Sequence, residues 1–383
     1  MKICHVITRL IVGGAQENTI LTCRGLVERG HEVTLVAGPE TGAEGSLWRE
    51  AETSGCTLVM LDALRRAVRP GSDVRAAIAL RRTFRELRPD VVHTHSSKAG
   101  ILGRWAAHAA GVAVIVHTIH GMSFNRTQPA IVRATYRALE RRAARWTTRF
   151  VTVADAMIDQ AVTAGLAPRE RFVTIRSGME TDRFRPDPAA RREVRGQWGV
   201  AEDDVVVGTI ARLFRNKGYE ELLPALPGTV AQVPKARFVW VGNGAQRGRY
   251  EKRLAELGLR DRVVLTGLVR PEEIPRLMNG FDVLVHGSRW EGLPRAVVQA
   301  QLCGVPAIAF DLDGAPEVIV SGETGLLVRA DDAMGLADAI VRLASDAGLR
   351  KRCGEAGRAR CLPDYDWRTM VERLDRLYAE LVR

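Results

Sequence analysis

Two short stretches in the second half of this 383-residue chain combine charged side chains with a strand-to-helix turn, an arrangement that can hold an anion. The first is Ala211-Arg212-Leu213-Phe214-Arg215-Asn216-Lys217-Gly218-Tyr219, which follows the apolar run Val205–Ala211. It sets Arg212 and Lys217 just ahead of a helical pattern, where two cations and helical amides make a diphosphate clamp. Solvated loop charges are the competing reading. Only six of the 56 basic residues are lysine, so a lysine at such a place carries more meaning than another arginine. The second stretch is Ser288-Arg289-Trp290-Glu291-Gly292-Leu293-Pro294-Arg295, with a helix expected to run to about Gly304. Pro294 stands where a first helical residue belongs. Glu291 precedes the helix and Gln299 lies about a turn and a half into it, so both can face one pocket. An acid ahead of a helix also serves as a plain cap.

Other candidates are more ambiguous. Gly13-Gly14 lies between the run Lys2–Ile7 and a helical pattern over 15–29, and is read either as a phosphate loop or as a tight turn. A dinucleotide site would need three spaced glycines and an acid closing the second strand, which here ends Val36-Ala37-Gly38. Gly242-Asn243-Gly244 follows a strand but is too short to be diagnostic. Asp311-Leu312-Asp313 spells a metal-binding pair, yet a solvated turn is preferred and no metal ligand is assigned. His93 and His95 are expected to point to opposite faces of their strand, so that at most one enters a site.

The elements that must position these residues form two series. Lys2–Ile7, Glu32–Ala37, Leu58–Leu61, Asp90–His95, Val112–Ile119 and Arg149–Val153 read as strands separated by amphipathic helices. The pattern restarts with Val205–Ala211, Phe238–Gly242, Val263–Gly267, Val283–His286, Ala307–Phe310 and Leu326–Val328. Two such series predict an α/β chain of two doubly wound domains, over 1–187 and 188–366. The turn-rich segment Ser177–Pro188 places the boundary near Asp187. A last helix over 367–383, apolar at Val371, Leu374, Tyr378 and Leu381, is long enough to reach back to the first domain.

Composition bounds the partners. Six dispersed cysteines argue against a zinc site or a disulfide framework and for a reducing compartment. With no signal-peptide layout and no membrane-length apolar run, a cytoplasmic location is expected. The formal net charge of +11 calls for an anionic partner, a phosphorylated substrate or anionic membrane, since no nucleic-acid recognition motif accompanies it.

As a set and in order, these motifs resemble the retaining family 4 glycosyltransferases. The resemblance rests on Gly13-Gly14-Ala15, Asp90–His95, Thr118-Ile119-His120-Gly121, Ala211-Arg212 with Lys217-Gly218, Ser288–Pro294, Gly304-Val305-Pro306 and Glu323–Val328. It implies the GT-B fold, two Rossmann-like domains facing each other across a cleft, with a nucleoside-diphosphate sugar as co-substrate and no other cofactor. It implies that Arg212 and Lys217 hold the diphosphate and that Glu291 contacts the transferred sugar. Position 299 would meet the ribose, where Gln299 departs from the family's glutamate. Amides near Leu293 and Arg295 would meet the phosphate, Gly242 and Gly244 would border the nucleotide, and Gly14 the phosphates or the acceptor. His120 would contact the sugar at the reacting centre. Attack on the face of the leaving diphosphate, without a metal, is the chemistry implied.

The acceptor is read from the segment 129–148. Val132, Tyr136, Leu139, Ala143 and Trp146 make one stripe, with Arg133, Arg137, Arg141 and Arg145 beyond it. Either the stripe packs on the sheet and leaves a solvated basic face, or the helix docks on an anionic bilayer and serves a glycolipid or polysaccharide acceptor. A sugar-nucleotide 2-epimerase of similar fold and a non-catalytic nucleotide-sugar-binding protein are the alternatives to transfer.

Overall fold

The computed structural model describes residues 1–40, 45–125 and 128–383. The chain divides into two compact units, Met1–Gly178 with Asp366–Arg383, and Met179–Tyr365. The crossing at Gly178 precedes the boundary read near Asp187. The reason is local: the Met179 N–H already donates to Tyr365 O at 2.7 Å, and the Asp187 N–H donates to Asn279 Oδ1 at 2.7 Å, both within the second unit.

Unit 1 holds a seven-stranded parallel sheet: β1 (Lys2–Arg9), β2 (Glu32–Gly38), β3 (Thr57–Met60), β4 (Val91–His95), β5 (Val114–Ile119), β6 (Arg149–Thr152) and β7 (Phe172–Thr174). Their order is β3-β2-β1-β4-β5-β6-β7. Unit 2 holds six: β8 (Val205–Ile210), β9 (Ala236–Val241), β10 (Val263–Gly267), β11 (Val283–His286), β12 (Ala307–Phe310) and β13 (Gly325–Val328), in the order β10-β9-β8-β11-β12-β13. Both sheets reverse direction of winding once, between β1 and β4 and between β8 and β11. Loops at the carboxyl ends of such a strand pair diverge and leave a crevice, the usual ligand position in this architecture.

Parallel strands covered by helices must be apolar on both faces. β1 is buried from Ile3 through Arg9, and β4, β5, β11 and β12 are buried throughout. The unit 2 core stacks Tyr219, Trp240 and Tyr250 beneath β8 and β9. In unit 1 the helix Trp367–Val382 supplies Trp367, Met370, Val371, Leu374, Leu377 and Tyr378 to the core. It lies on the helix Gly14–Glu28 so closely that a Cβ at Gly25 would stand 2.7 Å from the Val371 side chain.

Candidate active site

In unit 2 the loops after β8, β9 and β11 are stitched together by backbone. The Arg289 N–H donates to Asn216 O at 3.0 Å and the Leu213 N–H to Asn243 O at 3.1 Å. Glycine is required at two of these approaches: a Cβ at Gly218 (φ +79°) would stand 2.2 Å from Gly287 O, and one at Gly242 (φ +138°) 2.2 Å from Ala211 O. The motif residues Arg212, Lys217, Gly242, Gly244 and Glu291 thus sit on three apposed loops at the switch point of one sheet.

This apposition brings together two side chains far apart in sequence. Lys217 Nζ donates to Glu291 Oε1 at 2.5 Å and to Ser288 Oγ at 3.1 Å. His286 Nε2 stands 3.5 Å from the same carboxylate oxygen, beyond hydrogen-bond length but within electrostatic reach. Burial alone would raise the Glu291 pKa; the Lys217 charge and the nearby His286 outweigh it and hold the carboxyl well below the usual range. An ammonium has three N–H donors. Glu291 and Ser288 take two, so a third remains to meet an anion.

Supporting contacts fix the loop around Glu291. Its N–H donates to Asp313 Oδ2 at 2.8 Å, and the Gly314 N–H to Gly292 O at 3.1 Å. Asp313 therefore carries a loop-holding role and adopts a left-handed backbone (φ 53°). Arg289 is clamped between buried Glu221 and Asp331. Arg212 is exposed, its guanidinium 5.1 Å from the Phe214 ring centroid. The helix following this loop is Arg295–Leu302, so Pro294 caps it rather than opening it as expected. Leu293 and Gln299 are buried and Arg295 is half-buried.

Unit 1 uses different chemistry at its switch point. Gly14 is the first residue of the helix behind β1. His120 directly follows β5, and its Nε2 lies 3.1 Å from His95 Nδ1; His95 Nε2 lies 3.0 Å from His5 Nδ1. His93 is held by Tyr378 Oη (2.5 Å) and Thr118 Oγ1 (2.6 Å). Burial pushes the His5 pKa down to about 3 and lowers His93 and His95 well below the ordinary value. These rings are therefore neutral at physiological pH. Nitrogens of His5, His93 and His95 lie close enough together to hold an ion, but both nitrogens of His93 and of His95 are already engaged in hydrogen bonds. The expectation that His93 and His95 face opposite ways was an error of period. Residues two apart share a face of a strand, and these rings stack with centroids 4.3 Å apart, whereas Thr94 between them turns to His117.

The comparisons with known proteins fit this architecture. The sequence profile of the family described as Glycosyl transferases group 1 matches residues 190–360, and that of a Glycosyl transferase 4-like domain matches residues 13–178. The GDP-mannose-dependent α-(1-6)-phosphatidylinositol monomannoside mannosyltransferase of Mycolicibacterium smegmatis is 30% identical over 278 residues, 71% of each chain. The chain belongs to the group 1 glycosyltransferases. The UDP-Gal:α-D-GlcNAc-diphosphoundecaprenol α-1,3-galactosyltransferase of Escherichia coli is 28% identical over 317 residues, 81% of this chain and 80% of that one. Among solved structures, Anabaena HepE in complex with UDP and glucose superposes with a TM-score of 0.86 over 99% of this chain and 100% of its own, at 22% identity. That likeness supports the GT-B fold.

Several residues of this glycosyltransferase escaped the reading of motifs. His286 approaches the Lys217–Glu291 pair, and only its place at the carboxyl end of β11 could have drawn notice; Ser288 opens the motif Ser288–Pro294, but the sequence attached no role to it. His5 gave no signal beyond its place in an apolar strand. The expected stripe of the basic helix also needs revision. The helix runs Ala130–Ala144 and buries Glu140, Ala143 and Ala144, while Val132 and Leu139 are exposed together with Ile131, which is 77% exposed. Glu140, an acid within this basic run, is an interior anchor: it pairs with fully buried Arg104 at 2.5 Å and accepts from Ser123 Oγ at 3.1 Å. Tethered at Glu140, Ala143 and Ala144, the helix leaves Ile131, Val132 and Leu139 exposed.

Proposed function

We propose that this glycosyltransferase moves a hexose-type sugar from a nucleoside-diphosphate sugar to an acceptor hydroxyl in cell-envelope glycan synthesis, retaining the anomeric configuration and using no resident metal. The observation that carries the reading is the Lys217–Glu291 pair at the β8/β11 switch point. Lys217 and Arg212 neutralise charge developing on the departing diphosphate, the role a metal ion fills elsewhere. Amides around Leu293 and Arg295 add a helix N-terminus to the same task. The ion pair keeps Glu291 ionised, an acceptor for hydroxyls of the transferred sugar, and Gln299 reaches the ribose through a neutral amide. The acceptor oxygen attacks C1 on the face from which the diphosphate leaves. The C1–O bond to the diphosphate breaks, and the acceptor proton passes to the leaving oxygen. His120 and Gly14 are the unit 1 groups that meet substrate.

The named relatives act on a diphosphoundecaprenol-linked sugar and on a phosphatidylinositol mannoside, which supports a lipid-linked acceptor here. No described helix is long and apolar enough to cross a membrane. Exposed Ile131, Val132 and Leu139, set among Arg133, Arg137, Arg141 and Arg145, support peripheral docking of the helix Ala130–Ala144 on the cytoplasmic face of an anionic bilayer.

A thermal-shift screen over UDP-, GDP-, ADP- and dTDP-sugars tests the donor reading, because a ligand at a hundred times its dissociation constant stabilises by about 2.7 kcal/mol. No shift with any of them, or a product in which the sugar is epimerised rather than transferred, overturns it. Flotation with phosphatidylglycerol vesicles tests the docking. Ile131→Ser with Leu139→Ser should abolish it and leave donor binding intact, and undiminished flotation of that double variant removes the helix from the proposal.

A further inference from the structure

One buried nitrogen beside the Lys217–Glu291 pair makes no hydrogen bond. His286 closes β11, is 8% exposed, and its Nε2 is sealed from solvent without a partner. Glu291 Oε1 stands 3.5 Å away, the same oxygen that Lys217 Nζ holds at 2.5 Å. A carboxylate oxygen only accepts, so the ring state that suits this neighbour carries a proton on Nε2. A buried N–H left short of an acceptor is uncommon in protein interiors and asks for a reason.

The gap is small and only side chains need cross it. A good N–H···O bond is about 2.9 Å long, so a shift of about 0.6 Å would close it. The backbone on both sides is fixed. Leu284–His286 pairs with Ala307–Ala309 of β12, and the loop of Glu291 is pinned by its N–H to Asp313 Oδ2 and by the Gly314 N–H to Gly292 O. The charge-assisted contact to Lys217, which Ser288 Oγ also holds at 3.1 Å, sets where the carboxylate rests. An ammonium that must also serve a second anion serves its carboxylate less, because the two anions repel each other and divide three donors.

We propose that His286 is a positioning residue that takes over Glu291 Oε1 when an anionic ligand engages Lys217, so that Glu291 keeps its charge and its place as the donor diphosphate arrives. That the ligand is a diphosphate rests on the reading of Lys217 given above; that His286 stands ready to replace Lys217 rests on geometry alone. Without this hand-over the arriving anion would leave a half-buried carboxylate short of a partner, at a cost to binding.

Ring-15N histidine labelling reads His286 directly, its signals identified by their loss in His286→Gln. Lys217→Met removes the ammonium and keeps most of the bulk. In that variant, without nucleotide, the proton on His286 Nε2 should move downfield as it bonds Glu291, and adding Glu291→Ala should cancel the move. Saturation with whichever of UDP, GDP, ADP and dTDP binds best should produce the same move in the wild type. His286→Phe should bind that nucleotide about tenfold more weakly, the worth of a charge-assisted hydrogen bond, with an unchanged melting temperature in its absence. His286→Gln, whose amide can donate from nearly the same place, should recover most of the affinity. An unmoved His286 signal in folded Lys217→Met overturns the proposal, as does undiminished nucleotide affinity in His286→Phe. If Lys217→Met shows the bond but none of the four nucleotides produces it in the wild type, His286 stands as the substitute partner of Glu291, and the diphosphate reading of Lys217 is what fails.

Discussion

The two units share one winding plan and use it for opposite electrostatics. At the carboxyl ends of β8 and β11, unit 2 sets an ammonium against a carboxylate, both partly exposed. Along β1 and β4, unit 1 packs imidazoles that burial holds neutral. Charge survives where a partner and some solvent offset desolvation, and is lost where neither is present. The contrast teaches that topology fixes where a ligand sits, while the polarity of a few side chains decides what kind of ligand it is.

Acid should separate the units most strongly. His5, His93, His95 and His117 all have folded-state pKa values below the ordinary one, through burial first. Below about pH 6.5 the unfolded chain binds protons that the native unit 1 refuses, so stability falls with pH by about 1.4 kcal/mol per unit for each such group. The lowered Glu291 pKa acts in a different window: its contribution is complete above about pH 4.3 and is lost only as pH falls below that. Hydrogen exchange at pH 7 and pH 5.5 should therefore show protection collapsing in β1, β4 and β5 before β8 and β11. Equal losses in both sheets would erase the contrast.

Removing the cations of unit 2 is the next largest effect. Lys217→Ala and Arg212→Ala should each lower turnover by about two to three orders of magnitude with the melting temperature little changed. Activity within a few-fold of the original would mean that these loops do not stabilise a leaving group. Glu291→Gln should lower turnover by about tenfold or more, the worth of a charge-assisted hydrogen bond, and change nucleoside-diphosphate affinity less. A collapse of nucleotide affinity instead would exchange the roles of Glu291 and Gln299. Gln299→Glu should have the smallest consequence, moving the donor KM by less than about tenfold and leaving turnover alone. A variant that turns over where the natural enzyme does not would identify Gln299 as the mark of a lapsed transferase.

How much of this was legible in the sequence depends on how local each feature is. Twelve of the strands announce themselves as apolar runs, because a parallel strand buried on both faces has no polar alternation to confuse it. β7, only Phe172–Thr174 at the sheet edge, is too short to register. The Lys217–Glu291 contact joins residues 74 apart, and no spacing rule predicts it; the motif resemblance placed each residue, and the strand order brought them together. The exposure of Ile131 and Leu139 was hidden for a different reason. Helical periodicity finds an apolar stripe without saying whether anything covers it. Glu140 shows the converse, since an acid in a basic run reads as surface until its partner Arg104 is known.

The helix Trp367–Val382 has a consequence for synthesis on the ribosome. Unit 2 is continuous, so its core is complete once Tyr365 has emerged. Unit 1, although nine-tenths of it is translated first, still lacks the six side chains that the last helix adds to its core, among them Tyr378, which caps His93. Domains ordinarily fold in the order in which they are made. Here the second-made unit finishes first, and the nascent first unit waits with an open flank of apolar surface for roughly the time needed to translate unit 2, about ten to forty seconds at common elongation rates. A chaperone that binds this nascent chain should therefore be sought on the flank around Gly25, and its release should coincide with the emergence of residues 367–382.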